Sequence, residues 1–494
     1  MKELITIDPK NISKKLGFFR FSPVNGSYLL TNDVGDFVFI TPAHFEQFIS
    51  GQLDKESDIF KELKDKHFIR EEADKEILET RYRRKNEFLN FGPHLHIVIT
   101  TLRCNERCIY CHASRRNMDE TSYDMGLHTA KKVVDTIFQT TSPNIIIEFQ
   151  GGEPLANMEA IRFITEYATE KSKEEDKRLG ITLVTNLSLM TEETMKYLLD
   201  HNVMICTSLD GPEHLHNKNR VLSGGSSYGE AVKWIKRINE EYVKRGLEPE
   251  LYHVDALLTT SQYSLPYAKE IVDEYLNLGI RALHVRPLNP FGTAKKAWDI
   301  IGYTPEEYID FYKQVLDYVI ELNLQGTDML ERTAAIFLSK ILTEDDPDFL
   351  DLRSPCGAGI GQLAYNYDGK VFTCDEGRMV FQMDDDIFLL GDVGTNTYTD
   401  LIHHEALRSL TIASCLDCLP GCTDCVFKPY CGVCPIYNYM EQGDIFGQIP
   451  NNGRCKIHKA ILTYLFTRMR ENPELKEIFT RWTINKRPLL YIDT

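Results

Sequence analysis

Between His94 and about Asn289 the chain alternates short apolar runs with longer amphipathic ones. The apolar runs at 95–100, 144–149, 181–185, 203–209, 251–259 and 282–287 have the length and composition of strands. The segments between them, 124–139, 158–171, 192–200, 228–244 and 265–278, predict helices. Ala130, Val133, Val134, Ile137 and Phe138 share one helical face, as do Ala231, Trp234, Ile235 and Ile238. Six strand–helix repeats imply an α/β fold with a parallel sheet and right-handed crossovers. Six fall short of the eight that close a full (β/α)8 barrel.

The flanks follow other patterns. Residues from about 15 to 70 read as a small α+β unit. Tyr28-Leu-Leu and Phe37-Val-Phe-Ile predict short strands joined through the turn-rich Asn32-Asp-Val-Gly35. Thr41-Pro42 supplies an N-cap and a first-turn proline for a helix carrying Phe45, Phe48 and Ile49. A second helix follows with Ile59, Phe60 and Leu63 on one face, and a charged helix from Glu71 to Phe88 reads as a linker. Beyond the alternating region, Thr304-Pro-Glu-Glu307 is a capping box that opens the first of two bracing helices. The expected organisation is therefore 1–88, an N-terminal unit and linker; 93–300, the alternating core; 301–350, bridging helices; 351–460, a cysteine-rich domain; and 461–494, a helical tail.

A chain of 494 residues suggests two to four domains. Its net charge of −17, without a visible basic stripe, argues against a nucleic-acid partner. The local run Arg81, Arg83, Arg84, Lys85 reads as a solvated helix face. Met1-Lys-Glu-Leu-Ile has no signal-peptide character, and no apolar run reaches the roughly 18 residues of a membrane span. A cytoplasmic location is expected, where thiols stay reduced. Thirteen cysteines in such a setting are metal ligands before they are disulfides. Twelve fall in two groups, and Cys206, inside an apolar strand, reads as a core residue.

The first group is Cys104-Asn-Glu-Arg-Cys108-Ile-Tyr-Cys111, a loop directly after the first strand of the core. Four thiolates would close an iron–sulfur cluster, whereas three leave one iron open to a substrate or cofactor. Half of a zinc site is the alternative. The strand tips that follow carry polar groups, at the end of the sheet where such folds place their sites. After the second strand comes Gln150-Gly151-Gly152-Glu153-Pro154, whose glycines allow close backbone approach and whose carboxylate can take an ammonium group, or which is an ordinary turn. The third strand ends in Thr185-Asn186, the fourth in Ser208-Leu-Asp210-Gly211, and the last carries Arg286. Short polar residues at such tips are also common turn formers. The second group is Cys356, Cys374, Cys415, Cys418, Cys422, Cys425, Cys431, Cys434 and Cys455, which paired zinc knuckles would also explain.

Cys-x3-Cys-x2-Cys with an aromatic residue, Tyr110, before the last cysteine resembles the signature of the radical S-adenosylmethionine (SAM) enzymes. The resemblance implies a partial (β/α)6 barrel. It also implies a [4Fe-4S] cluster on Cys104, Cys108 and Cys111, whose open iron chelates the methionine part of SAM and yields a 5′-deoxyadenosyl radical. Gly151-Gly152-Glu153-Pro154 is similar to that family's SAM-binding pattern. The same resemblance assigns Asn186 and Ser208 to SAM, and Asp210 less firmly. Arg286 either reaches the SAM carboxylate or closes the barrel as an ion pair. The N-terminal unit resembles the winged-helix element that holds a leader peptide as an added strand, or it is a structural cap.

Cys356-x12-Gly369-x4-Cys374, then Cys422-x2-Cys425-x5-Cys431, then Cys455, resembles the SPASM extension of radical SAM peptide maturases. Cys434 departs from that pattern, following Cys431 after two residues rather than three. Carried over, Cys422, Cys425, Cys431 and Cys455 would hold a distal [4Fe-4S] cluster, and Cys356, Cys374 and Cys434 a nearer one. Cys415 or Cys418 would complete the latter, with Cys415 preferred; without either, an iron stays open to the substrate. Asp375, directly after Cys374, matches a base in sulfatase-maturing relatives, or serves neighbouring backbone. The run around Cys356 and Thr373-Cys-Asp-Glu-Gly377 looks most like the His-Xaa-Ser system maturases. The activity implied is oxidative modification, such as cross-linking, of a ribosomally made peptide carrying a leader, with electrons from a donor such as flavodoxin or ferredoxin. Formylglycine formation and peptide epimerisation are the alternatives. A non-enzymatic iron–sulfur or zinc scaffold would have no use for Gly151-Gly-Glu153 beside the claw.

Overall fold

The computed structural model of the protein describes residues 15–347 and 349–484 and the backbone of 491–492. Expectations placed on residues 1–14 and on the end of the tail lie outside the described residues.

The N-terminal unit is a three-stranded antiparallel meander, β1 (Arg20–Val24), β2 (Ser27–Thr31) and β3 (Phe37–Ile40), where the sequence pattern predicts two strands. The unpredicted strand, β1, contains Pro23, which sheets tolerate at an edge. Helix α1 (Pro42–Ser50) starts where Thr41 accepts from the His44 amide and ends on Gly51 in the left-handed region. With α2 (Asp58–Asp65) it buries Phe45, Phe48 and Leu63 against Leu30, Val38 and Ile40.

The linker helix α3 (Lys75–Lys85) buries nothing apolar, yet its basic run is not simply solvated. Arg81 makes a fork to Asp36 at 2.8 and 3.0 Å, and Arg84 pairs with Glu344 and Asp345. Burial pulls the Lys85 ammonium down to about 8. This run is a seam between the N-terminal unit and the bridging region.

The core sheet holds six parallel strands in the order β9-β8-β7-β6-β5-β4. They are β4 (Leu95–Thr101), β5 (Asn144–Gly151), β6 (Arg178–Thr185), β7 (Met204–Ser208), β8 (Asp255–Thr259) and β9 (Val285–Arg286). Helices α4 (Leu127–Ile137), α5 (Met158–Glu174), α6 (Glu192–Asp200), α7 (Ser227–Lys244) and α8 (Ala268–Asn277) return between them. The last predicted strand splits: Ala282–Leu283 pairs with Leu330–Glu331, and only Val285–Arg286 joins the core sheet.

The sheet then continues across the boundary expected at residue 350. β10 (Gln362–Tyr365) adds parallel to β4, and β11 (Lys370–Phe372) and β12 (Leu389–Asp392) follow antiparallel. It is an open sheet, with β9 and β12 at its ends.

Its two faces differ. Ile145, Ile147, Phe149, Leu183 and Ile205 are fully buried under helices. The alternate residues Glu148, Gln150, Thr182, Met204, Cys206 and Ser208 are only half-buried. Cys206 therefore lies on the half-open inner face and not in the core.

Helix α9 (Pro305–Leu324) begins with the expected reciprocal capping box between Thr304 and Glu307. The cysteine-rich region adds α10 (Arg332–Leu342) at its entry, then α11 (Asp375–Phe381), α12 (Glu405–Ser414) and α13 (Pro435–Gln442). It is followed by α14 (Gly453–Glu471) and α15 (Glu474–Trp482). Helix α14 docks the N-terminal unit: the Phe466 ring meets Phe37 and Phe39 at 5.1 and 6.2 Å. Thr31 Oγ1 donates to the Val426 carbonyl at 2.7 Å and Tyr430 Oη to that of Gly35 at 2.9 Å.

Candidate active site

The claw Cys104–Cys111 leaves the C-terminal end of β4. Its middle, Glu106–Cys108, pairs antiparallel with Arg220–Leu222, Cys108 standing opposite Arg220. Burial pushes the thiols of Cys104 and Cys108 up. Arg220 opposes this at Cys108, while Glu106 adds to it at both thiols and Glu153 at Cys104, as do the neighbouring claw sulfurs. A cationic iron core would offset that cost, and thiolate is the donor such cores take.

The Gly151-Gly152 pair is pressed against the end of β4. A Cβ on Gly151 would sit 2.1 Å from the Thr101 carbonyl oxygen, and one on Gly152 would sit 2.4 Å from those of Leu102 and Arg103. Gly151 also has φ +156°, which side chains rarely adopt. The glycines let two strand ends meet. Gly151→Ala is expected to lower stability by more than about 1 kcal/mol, read as an earlier unfolding midpoint together with weaker SAM binding.

Glu153 is fully buried and accepts from Thr185 Oγ1 at 2.6 Å, the Asn186 amide at 2.8 Å and the Leu155 amide at 3.0 Å. Burial raises its carboxyl to about 7 despite those bonds. Asn186 turns toward the claw: its Nδ2 lies 3.9 Å from Cys104 Sγ and donates to Asn105 Oδ1 at 3.2 Å. Ser208 ends β7 on the inner face. Arg286 is exposed on that side, and its charge acts on Glu148, Glu376 and His112. Glu148 itself is bonded by Gln150 at 2.5 Å and Thr182 at 3.2 Å, and burial raises its carboxyl.

Tyr110 is buried, its hydroxyl donating to Asp210 Oδ2 at 2.5 Å and accepting from Arg220 Nε at 2.9 Å. Asp210 is fully buried in these contacts and takes part in the support of the claw.

The other cysteines form two further groups. Cys356, Cys374 and Cys434 share one buried cluster with Phe291, Val380 and Ile436. Burial pushes the Cys356 thiol up to about 12, and Cys374 and Cys434 rise for the same reason, with the Glu376 carboxylate acting on all three. Asp375 is buried and accepts from Arg378 Nε at 2.7 Å through Oδ1. The Cys415 thiol is raised by burial and further by the exposed Cys418 nearby. Its neighbours are tied to the Cys356 segment, the Cys356 amide donating to Ser414 Oγ at 3.0 Å and the Leu416 amide to Ser354 Oγ at 2.9 Å.

Cys422, Cys425, Cys431 and Cys455 line one cavity with Lys428, His458 and Lys459. Burial, Cys455 and Cys425 push Cys422 up to about 12. His458 Nδ1 lies 3.8 Å from Cys431 Sγ. Among the described residues, no three His, Cys, Asp or Glu side chains close on a single metal-ion position. Threes and fours of thiols are a soft donor set that fits iron–sulfur cores.

Sequence reasoning missed Glu106, Arg220, Ser227, Glu148 and His458. Glu106 lies inside the claw and Arg220 ends a polar run, but 114 positions separate them and no periodicity links the two.

A parallel α/β sheet with a three-thiol claw at the tip of its first core strand defines a radical SAM domain. Residues 98–249 match the model of the radical SAM superfamily. The chain carries this domain and is an enzyme whose cofactors are a [4Fe-4S] cluster and SAM, and its cysteine-rich C-terminal region is compatible with auxiliary clusters.

It is similar to a cysteine-type anaerobic sulfatase-maturating enzyme of Clostridium novyi, 23% identical over 66% of this chain and 83% of the relative. It is also similar to the radical SAM cyclopropyl synthase TigE of Paramaledivibacter caminithermalis, 22% identical over 83% of each. Among solved structures, native anSMEcpe with bound AdoMet superposes with a TM-score of 0.63 at 19% identity, covering 79% of this chain and 100% of that one. Streptococcus suis SuiB bound to precursor peptide SuiA superposes at 0.51 and 11%, covering 88% and 98%. These superpositions establish the fold. Among the described residues no helix is long and apolar enough to cross a membrane.

Proposed function

We propose that this enzyme oxidatively modifies a ribosomally synthesised peptide, by cross-linking or a related change, after recognising a leader segment. The observation that carries the reading is the half-open polar inner face of the sheet, whose Glu148 lies within electrostatic reach of Arg286 and Asp375, as does Glu376 beside Cys374. A half-open polar face in a chain with cysteine groups besides the claw suits a bulky substrate whose oxidation leaves an electron to be removed.

When bound, the claw cluster and SAM supply a radical that takes hydrogen from the substrate. Asn186, Ser208 and Arg286 are proposed to orient SAM, with Tyr110 and the Gly151-Gly152-Glu153 turn shaping its site. Cys422, Cys425, Cys431 and Cys455 are proposed to hold a distal auxiliary cluster. Cys356, Cys374 and Cys434 are proposed to hold a nearer one, with Cys415 as fourth ligand; the bonds from the Cys356 amide to Ser414 and from the Leu416 amide to Ser354 support that choice. Asp375, oriented by Arg378, is the proposed base, its second oxygen meeting the substrate. The leader is proposed to add to the edge of the N-terminal sheet, beside the exposed Phe18 and Phe21. A flavodoxin- or ferredoxin-like donor and a cytoplasmic setting complete the reading.

Co-expression with a candidate precursor peptide followed by mass spectrometry tests it. Loss of a hydrogen pair, placed by fragmentation in a link between two residues of the peptide, is expected. Oxidation of one Cys or Ser to formylglycine would instead favour a sulfatase-maturase activity, the reading that the Clostridium relative's name supports. Unchanged mass with deuterium uptake would mean epimerisation.

A further inference from the structure

We propose that Arg220 is a positioning residue that fastens the claw and sets the local charge against which its cluster is reduced. The inference rests on the reading of Cys104, Cys108 and Cys111 as that cluster's ligands. Arg220 stands opposite Cys108 in a two-stranded ladder, and the amide of Ile109 donates to the Asn219 carbonyl at 2.9 Å. The claw is thus held by the excursion between β7 and α7 as well as by the strand that bears it.

Its guanidinium, 12% exposed, donates to Glu106 Oε2 at 3.2 Å and to Tyr110 Oη at 2.9 Å, and lies 3.7 Å from Asp210 Oδ2. Glu106 sits between the first two cysteines of the claw and Tyr110 between the last two. One planar cation therefore grips both halves of the loop, which the fork of an arginine suits better than a lysine. Glu106 is completed from its far side: Oε1 accepts from Ser227 Oγ at 2.5 Å, and Ser227 Oγ lies 2.9 Å from His216 Nε2. The polar atoms that hold the arginine come from the claw, through Glu106 and Tyr110, and from Asp210 where the excursion leaves β7.

Charge gives the arrangement a second consequence. Reduction adds one negative charge to a cluster already bound by three thiolates, and iron–sulfur potentials respond to net charge and hydrogen bonding around the sulfurs. A half-buried fixed cation beside Cys108 favours the reduced form, while Glu106 and Asp210 oppose it. The balance of the three sets the potential at which the claw cluster takes its electron.

The test uses the reconstituted full-length protein, with all variants compared at one fixed alkaline pH. The readout is the midpoint potential of the reduced-cluster EPR signal that changes on adding SAM, which separates the claw cluster from the auxiliary ones. Arg220→Met is expected to shift that potential to more negative values and Arg220→Lys to restore part of the shift. Glu106→Gln is expected to move it the opposite way, with the auxiliary signals unmoved throughout.

An unchanged potential in an iron-replete Arg220→Met protein overturns the proposal. Should that variant lose the claw signal altogether, Arg220→Lys and Glu106→Gln decide, and potentials equal to the unmodified protein's overturn it. Absence of any SAM-responsive signal in the unmodified protein overturns the claw assignment itself, and this inference with it.

Discussion

Replacing Cys104, Cys108 and Cys111 together by alanine is expected to reduce SAM cleavage to the level seen without reductant. On the proposed assignment, open coordination at the claw is what lets SAM meet iron, so no residual route remains once the three thiols are gone. The C-terminal cysteine groups share no cysteine with the claw, so the clusters proposed there would keep their ligands. Iron in the variant is therefore expected to fall only by the claw cluster's share, with the auxiliary absorbance retained. The measurement is 5′-deoxyadenosine released by reduced, anaerobically reconstituted protein, beside its iron content. Undiminished release would show that SAM is cleaved elsewhere. Loss of all iron at once would show that the three sites do not load independently.

Arg378→Met is expected to lower stability by about 3–5 kcal/mol, the cost of leaving a buried charge unpaired. The Arg378 side chain is 1% exposed and that of Asp375 8%, so water cannot replace the lost partner. The pair lies in the first turn of α11, directly after Cys374, so the damage is expected to reach the nearer cysteine group as well. Adding Asp375→Asn to Arg378→Met should recover much of the loss, because the unpaired charge is then gone. Denaturant unfolding of the two variants and the unmodified protein gives the comparison. If Arg378→Met costs no more than a surface substitution, the pair is not the fastening it is taken to be. The double variant Asp375→Asn with Arg378→Met removes the proposed base without leaving a buried charge unpaired, and it is expected to preserve SAM cleavage and abolish peptide modification.

The order of strands and helices was legible because it is written locally. The buried face of α4 repeats with the helical period, and the strands of the core sheet are short apolar runs between turn-forming residues. Reading failed where a strand was too short or too mixed to leave a pattern. β1 is an edge strand interrupted by Pro23, and β10 is four buried residues whose partner, β4, lies far back in the chain. The basic run of α3 looked solvated because the acids that receive it come from Asp36 on one side and Glu344 and Asp345 on the other. Gly151 and Gly152 were legible as places of close approach, but what approaches them is the end of β4.

By itself, the sequence determined the alternating α/β core and the three-cysteine claw, together with the division of the remaining ligand-type cysteines into a second region. Those properties depend on residue type and spacing over a few turns of chain. Tertiary structure alone decided that Cys108 faces Arg220, that Asp210 supports the claw, that Cys206 lies on the inner face, and that His458 joins the four distal thiols. Each of these is a meeting of segments brought together by crossovers and sheet register, and a local pattern carries no record of which distant segment will arrive.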